Sequence, residues 1–353
     1  MSQFDDLLKN LKVLELATAL AGPLTGTFLK ELGADVLKIE PPHGDVSRYW
    51  KNSFEPVGSQ SIYYQVVNGD KKTMTLDLRN STARKQLSQL IQESDIVITN
   101  FHHQQAEKFG MTFEKLSAIK SDIILGNITG YGPKSGKAAF DMMIQADSGL
   151  ISMTGSKGGM PTKVPIAIAD ILASHQLRSG TLCALLKKGQ TGKGSEIQVS
   201  LIDSMISALT NQAGNYLMGK QIPVRMGTLH PSIAPYGEVF ETADAKSLLI
   251  AVGSEGQFQA LCYALNKEEW QEHPKYRDNQ NRLINRIDLE REIYPVIKSH
   301  PAKFWLAKFE KYNIPAALIR NLQEVLDDPE AAHMLVNELK DQIQIRRLKT
   351  FVF

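Results

Sequence analysis

Cysteine is almost absent from this sequence of 353 residues, which contains only Cys183 and Cys262. Two cysteines so far apart exclude a disulfide framework and a cysteine-rich metal site. The chain also lacks any run of about 18 apolar residues, so no membrane span is expected. Its acidic first residues show no apolar core of a signal peptide. These absences predict a cytoplasmic protein, because thiols stay reduced in that compartment.

No charge of one sign dominates the chain. It has 40 lysines and arginines against 38 aspartates and glutamates, and a net charge of +2. Because there is no long basic block, nucleic-acid binding is not indicated. The hydrophobic fraction of 42% and the charged fraction of 22% are typical of a globular protein. The length suggests about two domains.

The first part of the sequence alternates between strand and helix patterns. Residues 12–16 and 35–40 are short apolar strands, and between them a turn at Gly22 and Pro23 is followed by a helical pattern that ends at Leu32. Strand, helix and strand at this spacing predict a parallel sheet. Gly33 fits the position that follows a helix C-cap. Further strands are predicted at 74–78, 95–99 and 123–128, with a helix at 82–92.

From residue 141 the patterns are mainly helical. Helices are predicted at 141–153, 170–186, 201–218 and from about 257 to 309, with an antiparallel strand pair at 237–240 and 247–252. We therefore predict an α/β protein with three parts. These are a large doubly wound, Rossmann-like domain at 1–215, a smaller α+β domain at 216–320, and a C-terminal segment at 321–353 that returns to the large domain.

Two loops at the expected carboxyl edge of the sheet are candidate ligand contacts. Residues 17–23 are small, which would let a ligand approach the backbone, and the helix that follows favours an anion. Without a GxGxxG pattern, however, this loop is equally consistent with a plain tight turn, and an NAD-dependent dehydrogenase is disfavoured. Asn100 and Phe101 end a strand, where an aromatic ring could stack on a purine or merely terminate the strand. His102 and His103 lack partners at metal-ligand spacing, so no metal site is expected.

Asp170 lies at a helix start in the run PIAIADIL. Local sequence favours an N-cap aspartate. The alternative is a carboxylate that the helix N-terminus keeps ionised and that attacks an activated acyl group. Asp141, after Phe140, also reads as a helix cap. Residues 253–257 (GSEGQ) are typical of a mobile loop or of a strand-to-helix turn.

The order of these segments resembles class III CoA-transferases, the family that includes formyl-CoA and carnitine CoA-transferases. The run VLELATALAGPLTGTFLKELGADVLKIEPPHGD resembles the opening signature of that family. The segments NGDKKTMTLDLRN, TNFHHQQAEKFGMTFEKL, GYGPKSGKAAFDMMIQADSGL, PIAIAD, HPSIAPYG and AVGSEGQF follow in family order. The resemblance covers about residues 10 to 330.

The resemblance implies a CoA-transferase of the class III fold that assembles as an intertwined homodimer. Its substrates would be an acyl-CoA and a small carboxylic acid, with no prosthetic group. It makes Asp170 the catalytic residue, which would carry CoA as a covalent aspartyl thioester. The implied CoA contacts are Leu20, Ala21, Leu76, Arg79, Asn100, Phe101, Lys108, Ala138 and Asp141, and the implied substrate and loop residues are Phe140, Gly253, Gly256 and Gln257.

Several positions depart from the family pattern. Pro41, Leu20, His102 and Ala138 replace an Arg, a Gln, an Arg and a Lys. The departures argue against oxalate as the acid and predict weaker CoA binding. They leave a CoA-binding protein without turnover as one alternative. Another is an α-methylacyl-CoA racemase, but Phe140 stands where that branch has the His that serves as a second base.

Overall fold

The computed structural model describes residues 3–340 and 343–353. These residues form two compact units. The first contains the described residues of 1–152, 163–223 and 333–353, and the second contains 153–162 and 224–332. No helix in the described residues is both long enough and apolar enough to cross a membrane.

A six-stranded parallel sheet forms the centre of the first unit, which confirms the predicted α/β class. The strand order is β3-β2-β1-β4-β5-β6, so the direction of winding reverses between β1 and β4. Ligands of open α/β sheets bind beyond the carboxyl ends of strands at such a switch point. The strands are β1 Lys12–Glu15, β2 Asp35–Glu40, β3 Lys72–Thr75, β4 Ile96–Thr99, β5 Ile124–Thr129 and β6 Ser195–Ser200.

Helices cover both faces of this sheet. Phe28 and Leu177 belong to the core on one face, and Leu87 and Leu116 belong to the core on the other. Gly33 follows the first helix with φ +99°, as the sequence predicts. The helices are α1 Ala21–Glu31, α2 Ile62–Asn68, α3 Ser81–Glu93, α4 His103–Phe109, α5 Phe113–Ile119, α6 Asp141–Asp147, α7 Leu150–Met153, α8 Ile168–Thr191, α9 Leu201–Ala208 and α10 Thr210–Gly219.

The second unit has its own sheet and core. Three antiparallel strands, β7 Tyr236–Glu241, β8 Ser247–Ala251 and β9 Ala316–Leu318, confirm the predicted strand pair and add a third strand. Phe240, Phe258 and Trp305 are among its buried core residues. Its helices are α11 Glu255–Leu265, α12 Asn279–Ile284, α13 Arg286–Lys298, α14 Ala302–Lys311 and α15 Leu322–Leu326.

The last residues of the chain form a hairpin, β10 Leu335–Lys340 and β11 Ile343–Leu348, in the first unit. Arg347 forms an ion pair with Glu31 of α1. Arg178 Nη1 of α8 donates to the carbonyl of Thr350 at 2.8 Å. The units divide at 223/224 and 332/333, whereas the sequence placed boundaries at 215/216 and 320/321. The later second boundary places α15 in the second unit, where Glu324 of α15 forms an ion pair with Lys246.

Candidate functional site

The β1–α1 loop at the switch point is held in an unusual conformation. Ala19 has φ +66°, a left-handed value that is rare for a residue with a side chain. Its N–H donates to Asp45 Oδ1 at 3.2 Å. The N–H of Thr18 donates to Asn100 Oδ1, and Asn100 Nδ2 donates back to the carbonyl of Thr18, both at 3.2 Å. Asn100 therefore fixes this loop, a role that the sequence did not reveal. Its contact with a ligand stays a prediction.

Four fully buried charged side chains lie beneath the same loop. Lys38 Nζ lies 2.9 Å from Glu15 Oε1 and 3.0 Å from Asp45 Oδ2, and it donates to the carbonyl of Ala17 at 2.7 Å. Lys71 Nζ lies 2.8 Å from Glu15 Oε2. Burial lowers the pKa of Lys71 to about 8. Burial opposes the charge of Lys38 as well, but Glu15 and Asp45 together raise the pKa of Lys38. Two positive and two negative groups thus balance each other in a site without solvent exposure.

Asp170 lies in the first turn of α8 and lines a cavity of about 860 Å³. The N-cap interpretation is wrong, because α8 begins at Ile168 and the residue before the helix is Ala167. Burial, and then the charge of Asp141, raise the pKa of Asp170 to about 6, against the lowering effect of a hydrogen bond from the N–H of Ala21. Asp170 is ionised at neutral pH, but it binds a proton more tightly than an ordinary aspartate.

Asp141 caps α8 from another helix. Its Oδ1 accepts the N–H of Ala169 at 2.8 Å, and its Oδ2 accepts Gln145 Nε2 at 2.7 Å. Sequence reasoning took Asp141 for a cap of its own helix. In the structure Phe140 occupies that N-cap position without a side-chain bond, and Asp141 is the first helical residue of α6. This places a second negative charge beside Asp170.

The large cavity brings together most of the residues that the sequence proposed around Asp170. Trp50 and Tyr63 also line it, and no sequence motif pointed to either residue. Their rings meet edge to face, with centroids 5.3 Å apart. Burial and the charges of Asp170 and Asp141 raise the pKa of Tyr63, so its hydroxyl stays protonated. The proposed residues at this cavity are Leu20, Ala21, Asn100, Ala138, Phe140, Asp141 and Asp170.

A second cavity, of about 430 Å³, shares Thr18 and Asn100 with the first. Leu76, Arg79, Asn100 and Phe101 line it, as does Pro41. The guanidinium of Arg79 makes two hydrogen bonds to Asp77, each 2.8 Å long, so its charge is already partly balanced.

Glu40, at the end of β2, also lines this second cavity. In dinucleotide-binding folds an acidic residue at this point binds the ribose. Here Arg48 donates to both oxygens of Glu40, at 2.7 and 2.9 Å, and Tyr64 donates at 2.6 Å. An engaged carboxylate of this kind speaks further against an NAD site.

Not every proposed residue reaches these cavities. Lys108 is exposed near the end of α4 and lines neither of them. His102, by contrast, lines the larger cavity, and it is the N-cap of α4, where it accepts the N–H of Gln105. Across residues 3–340 and 343–353, no group of three or more His, Cys, Asp or Glu side chains is placed to hold a metal ion.

Gly253, Gly256 and Gln257 belong to the second unit. Gly253 N–H donates to Gln257 Oε1 at 2.8 Å, and the carboxylate of Glu255 is held by buried Arg282 at 2.8 and 2.9 Å. Neither glycine has a left-handed φ. A Cβ on Gly253 would meet its nearest atom at 3.6 Å, and a Cβ on Gly256 would meet none within 4 Å. The local fold therefore does not require glycine at these two positions.

Comparison with known proteins identifies the family. Residues 8–350 match the model of CoA-transferase family III. The chain is 33% identical over 331 residues to succinate–glutarate CoA-transferase of Agrobacterium fabrum, covering 92% of this chain and 82% of that protein. It is 32% identical over 330 residues to succinyl-CoA:glutarate CoA-transferase of Homo sapiens, covering 92% and 74%.

A solved structure shares the fold over almost the whole chain. The CaiB/BaiF family protein of Brucella suis superposes with a TM-score of 0.84 at 35% sequence identity, covering 97% of this chain and 91% of that one. The chain belongs to CoA-transferase family III. It is an enzyme with CoA-transferase activity, whose substrates are CoA thioesters.

Proposed function

We propose that this enzyme moves CoA from an acyl-CoA donor to a carboxylic acid through a covalent thioester on Asp170. The observation that carries the proposal is the largely buried Asp170 carboxylate, whose pKa is raised to about 6, in the wall of the 860 Å³ cavity. A carboxylate at this pKa is ionised at neutral pH and is poorly solvated, as a nucleophile requires. The N–H of Ala21 faces it and can stabilise negative charge that develops there.

The reaction divides into balanced steps. The Asp170 carboxylate attacks the thioester carbonyl, the C–S bond breaks, and CoA leaves as a thiolate, so that a mixed anhydride of Asp170 and the donor acid remains. The thiolate attacks the aspartyl carbonyl, so that the donor acid leaves as a carboxylate and Asp170 carries CoA as a thioester. An acceptor carboxylate then attacks this thioester and reverses both steps. CoA leaves on the acceptor, and the Asp170 carboxylate is restored.

Trapping tests this mechanism directly. The enzyme is incubated with succinyl-CoA and quenched with hydroxylamine, which converts an aspartyl anhydride or thioester to a hydroxamate. Peptide mass spectrometry should find the hydroxamate on Asp170 and nowhere in Asp170→Asn. A label on another residue, or full activity of Asp170→Asn, would overturn the assignment. Exchange of an α-proton of the acyl group in deuterated water, without acyl transfer, would instead support the racemase alternative.

The remaining CoA contacts follow the two cavities. The smaller cavity, with Leu76, Arg79 and Phe101, takes the nucleotide end of CoA, and the larger takes the thioester, with Ala138 and Phe140 beside it. Lys108 lines neither cavity, so this division gives it no contact with a CoA that is bound in the same chain. The glycines at 253 and 256 belong to this proposal as a loop that excludes water from the anhydride.

The proposal includes a homodimer, in which the two chains are intertwined. Its support is an exposed apolar surface on and after α10, formed by Tyr216, Leu217, Met218 and Ile222. Met218 is 92% exposed. Exposed apolar patches on soluble proteins mark association sites. Light scattering should give the mass of two chains, and Met218→Glu should shift the mass toward one chain. A monomeric wild type would rule the dimer out.

A further inference from the structure

Two lysines line the cavity that contains Asp170. Lys137 Nζ lies 2.5 Å from Asp147 Oδ2 and 4.0 Å from the centre of the Tyr131 ring. Asp147 therefore balances the charge of Lys137. Lys163 is the other lysine of this wall.

The charge of Lys163 is not balanced by a carboxylate in this way. Its Nζ donates to the carbonyl of Val164 at 3.4 Å, and in the described part of the chain no acidic side chain forms an ion pair with it. The side chain is exposed to the cavity and to solvent. An ammonium in this setting is available to an anionic ligand.

The backbone beside Lys163 is fixed by a buried side chain. Gln145 Oε1 accepts the N–H of Val164 at 2.9 Å, and Gln145 Nε2 donates to the carbonyl of Ile166 at 3.3 Å. The same Nε2 donates to Asp141 Oδ2 at 2.7 Å, and Asp141 in turn caps α8 at Ala169. One connected network thus sets the position of Lys163 relative to the start of the helix that carries Asp170.

The charges of the cavity suggest its ligand. Asp170 reacts with one carboxyl group of an acid, and a second carboxylate on the same acid would be costly to bury without a cation. The relatives at 33% and 32% identity are named for succinate and glutarate, both of which carry two carboxyl groups. We propose that Lys163 binds the second carboxylate of a dicarboxylic acid and so makes the enzyme selective for dicarboxylates. This inference rests on the proposed function of Asp170.

The test compares Lys163→Met with Lys163→Arg and with Lys134→Met, which removes an exposed lysine outside both cavities. Lys163→Met should raise KM for glutarate roughly tenfold or more, because a hydrogen bond between charged groups is lost. It should leave the inhibition constant of free CoA unchanged. Lys163→Arg should retain most of the wild-type KM, and Lys134→Met should change neither constant.

Three results would overturn the inference. An unchanged KM for glutarate would show that Lys163 does not bind the acid, and an equal rise in the CoA inhibition constant would make it a CoA phosphate contact. Failure of the wild type to use glutarate or succinate would exclude the substrate class. The Asp170 hydroxamate, measured in the same samples, separates these results from failure of the proposed mechanism. If it forms in wild type and in Lys163→Met, the covalent step stands whatever the KM values are.

Discussion

The carboxylate of Asp141 accepts the backbone N–H of Ala169 at 2.8 Å, one residue before Asp170. The residue that caps helix α8 is thus also a source of the raised pKa of its neighbour, second only to burial. Structure and reactivity are coupled at this point, because the side chain that fixes the helix start also brings a second negative charge near the proposed nucleophile.

Asp141→Asn separates these two effects. The amide oxygen still accepts the N–H of Ala169, but the charge is gone, so the pKa of Asp170 should fall from about 6. Because the proposed nucleophile is the ionised form, activity is lost as pH falls through this pKa. The acid limb of kcat/KM should therefore move to lower pH. Asp35→Asn, which changes an exposed carboxylate at the start of β2, should leave the profile in place, and an unmoved profile in Asp141→Asn would contradict the coupling.

Lys38→Met should be severely destabilising. Removing Lys38 takes away the ion pair of the buried Asp45, whereas Glu15 keeps its ion pair with Lys71. Breaking a buried ion network of this kind costs about 3–5 kcal/mol of the free energy of unfolding. Lys72→Met is the matched control, because Lys72 pairs with Asp35 on the exposed end of the same sheet. Urea denaturation should place the control within about 0.5 kcal/mol of wild type, and similar values for the two variants would refute the argument.

Asn100→Ala should weaken binding of acyl-CoA more than it slows the chemical step. It removes both hydrogen bonds to the backbone of Thr18, which are worth about 1 kcal/mol each. The strained residue Ala19 follows immediately and should become mobile. We expect KM for succinyl-CoA to rise roughly tenfold. Asn100→Asp keeps the hydrogen-bond acceptor and loses the donor, so its KM should lie between the values of the wild type and of Asn100→Ala. A fall in kcat at constant KM would instead place Asn100 at the reacting atoms.

Gly256→Ala should separate stability from activity. The residue lies in the first turn of α11, and a new Cβ there would meet no other atom within 4 Å, so alanine should add up to about 1 kcal/mol to the free energy of unfolding. If the loop approaches the reacting groups as proposed, the same variant should lower the transfer rate and raise the ratio of acyl-CoA hydrolysis to transfer. If the variant is more stable but keeps the wild-type transfer rate and the wild-type ratio of hydrolysis to transfer, Gly256 does not act in the reaction.

The sequence predicted the fold where the local pattern and the burial agree. Strand β2 was predicted with the bounds that the structure shows, because its run DVLKIE is mostly buried. Strand β6 was missed, although Gly192 ends the helix before it, because its run SEIQVS has only two apolar residues and lies at the sheet edge. Burial of Lys38 within β2 was equally invisible, since its partners come from residues 15 and 45 and meet it only in the folded chain.

The candidate site shows the same limit. The family segments led to Asp170, yet its place in the helix was misjudged because the true cap, Asp141, accepts an N–H that lies 28 positions later in the chain. Trp50 and Tyr63 belong to the cavity wall, with Tyr63 in helix α2, but they lie between residues 40 and 74, where the sequence predicted no element. The positions of Asp170, Trp50 and Tyr63 depend on contacts between distant segments, and a single sequence does not reveal such contacts.

The two units also differ in how they can form during synthesis. The second is built mainly from one continuous stretch, 224–332, whereas the first needs residues from three stretches. Its last stretch supplies Thr350, which bonds to α8, and Phe351, which packs on Phe28 of α1. Because the chain leaves the ribosome from its N-terminus onward, the second unit can fold before Thr350 and Phe351 are available to contact α8 and α1. A nascent chain released before residue 350 should therefore hold a folded second unit beside an incompletely packed first one.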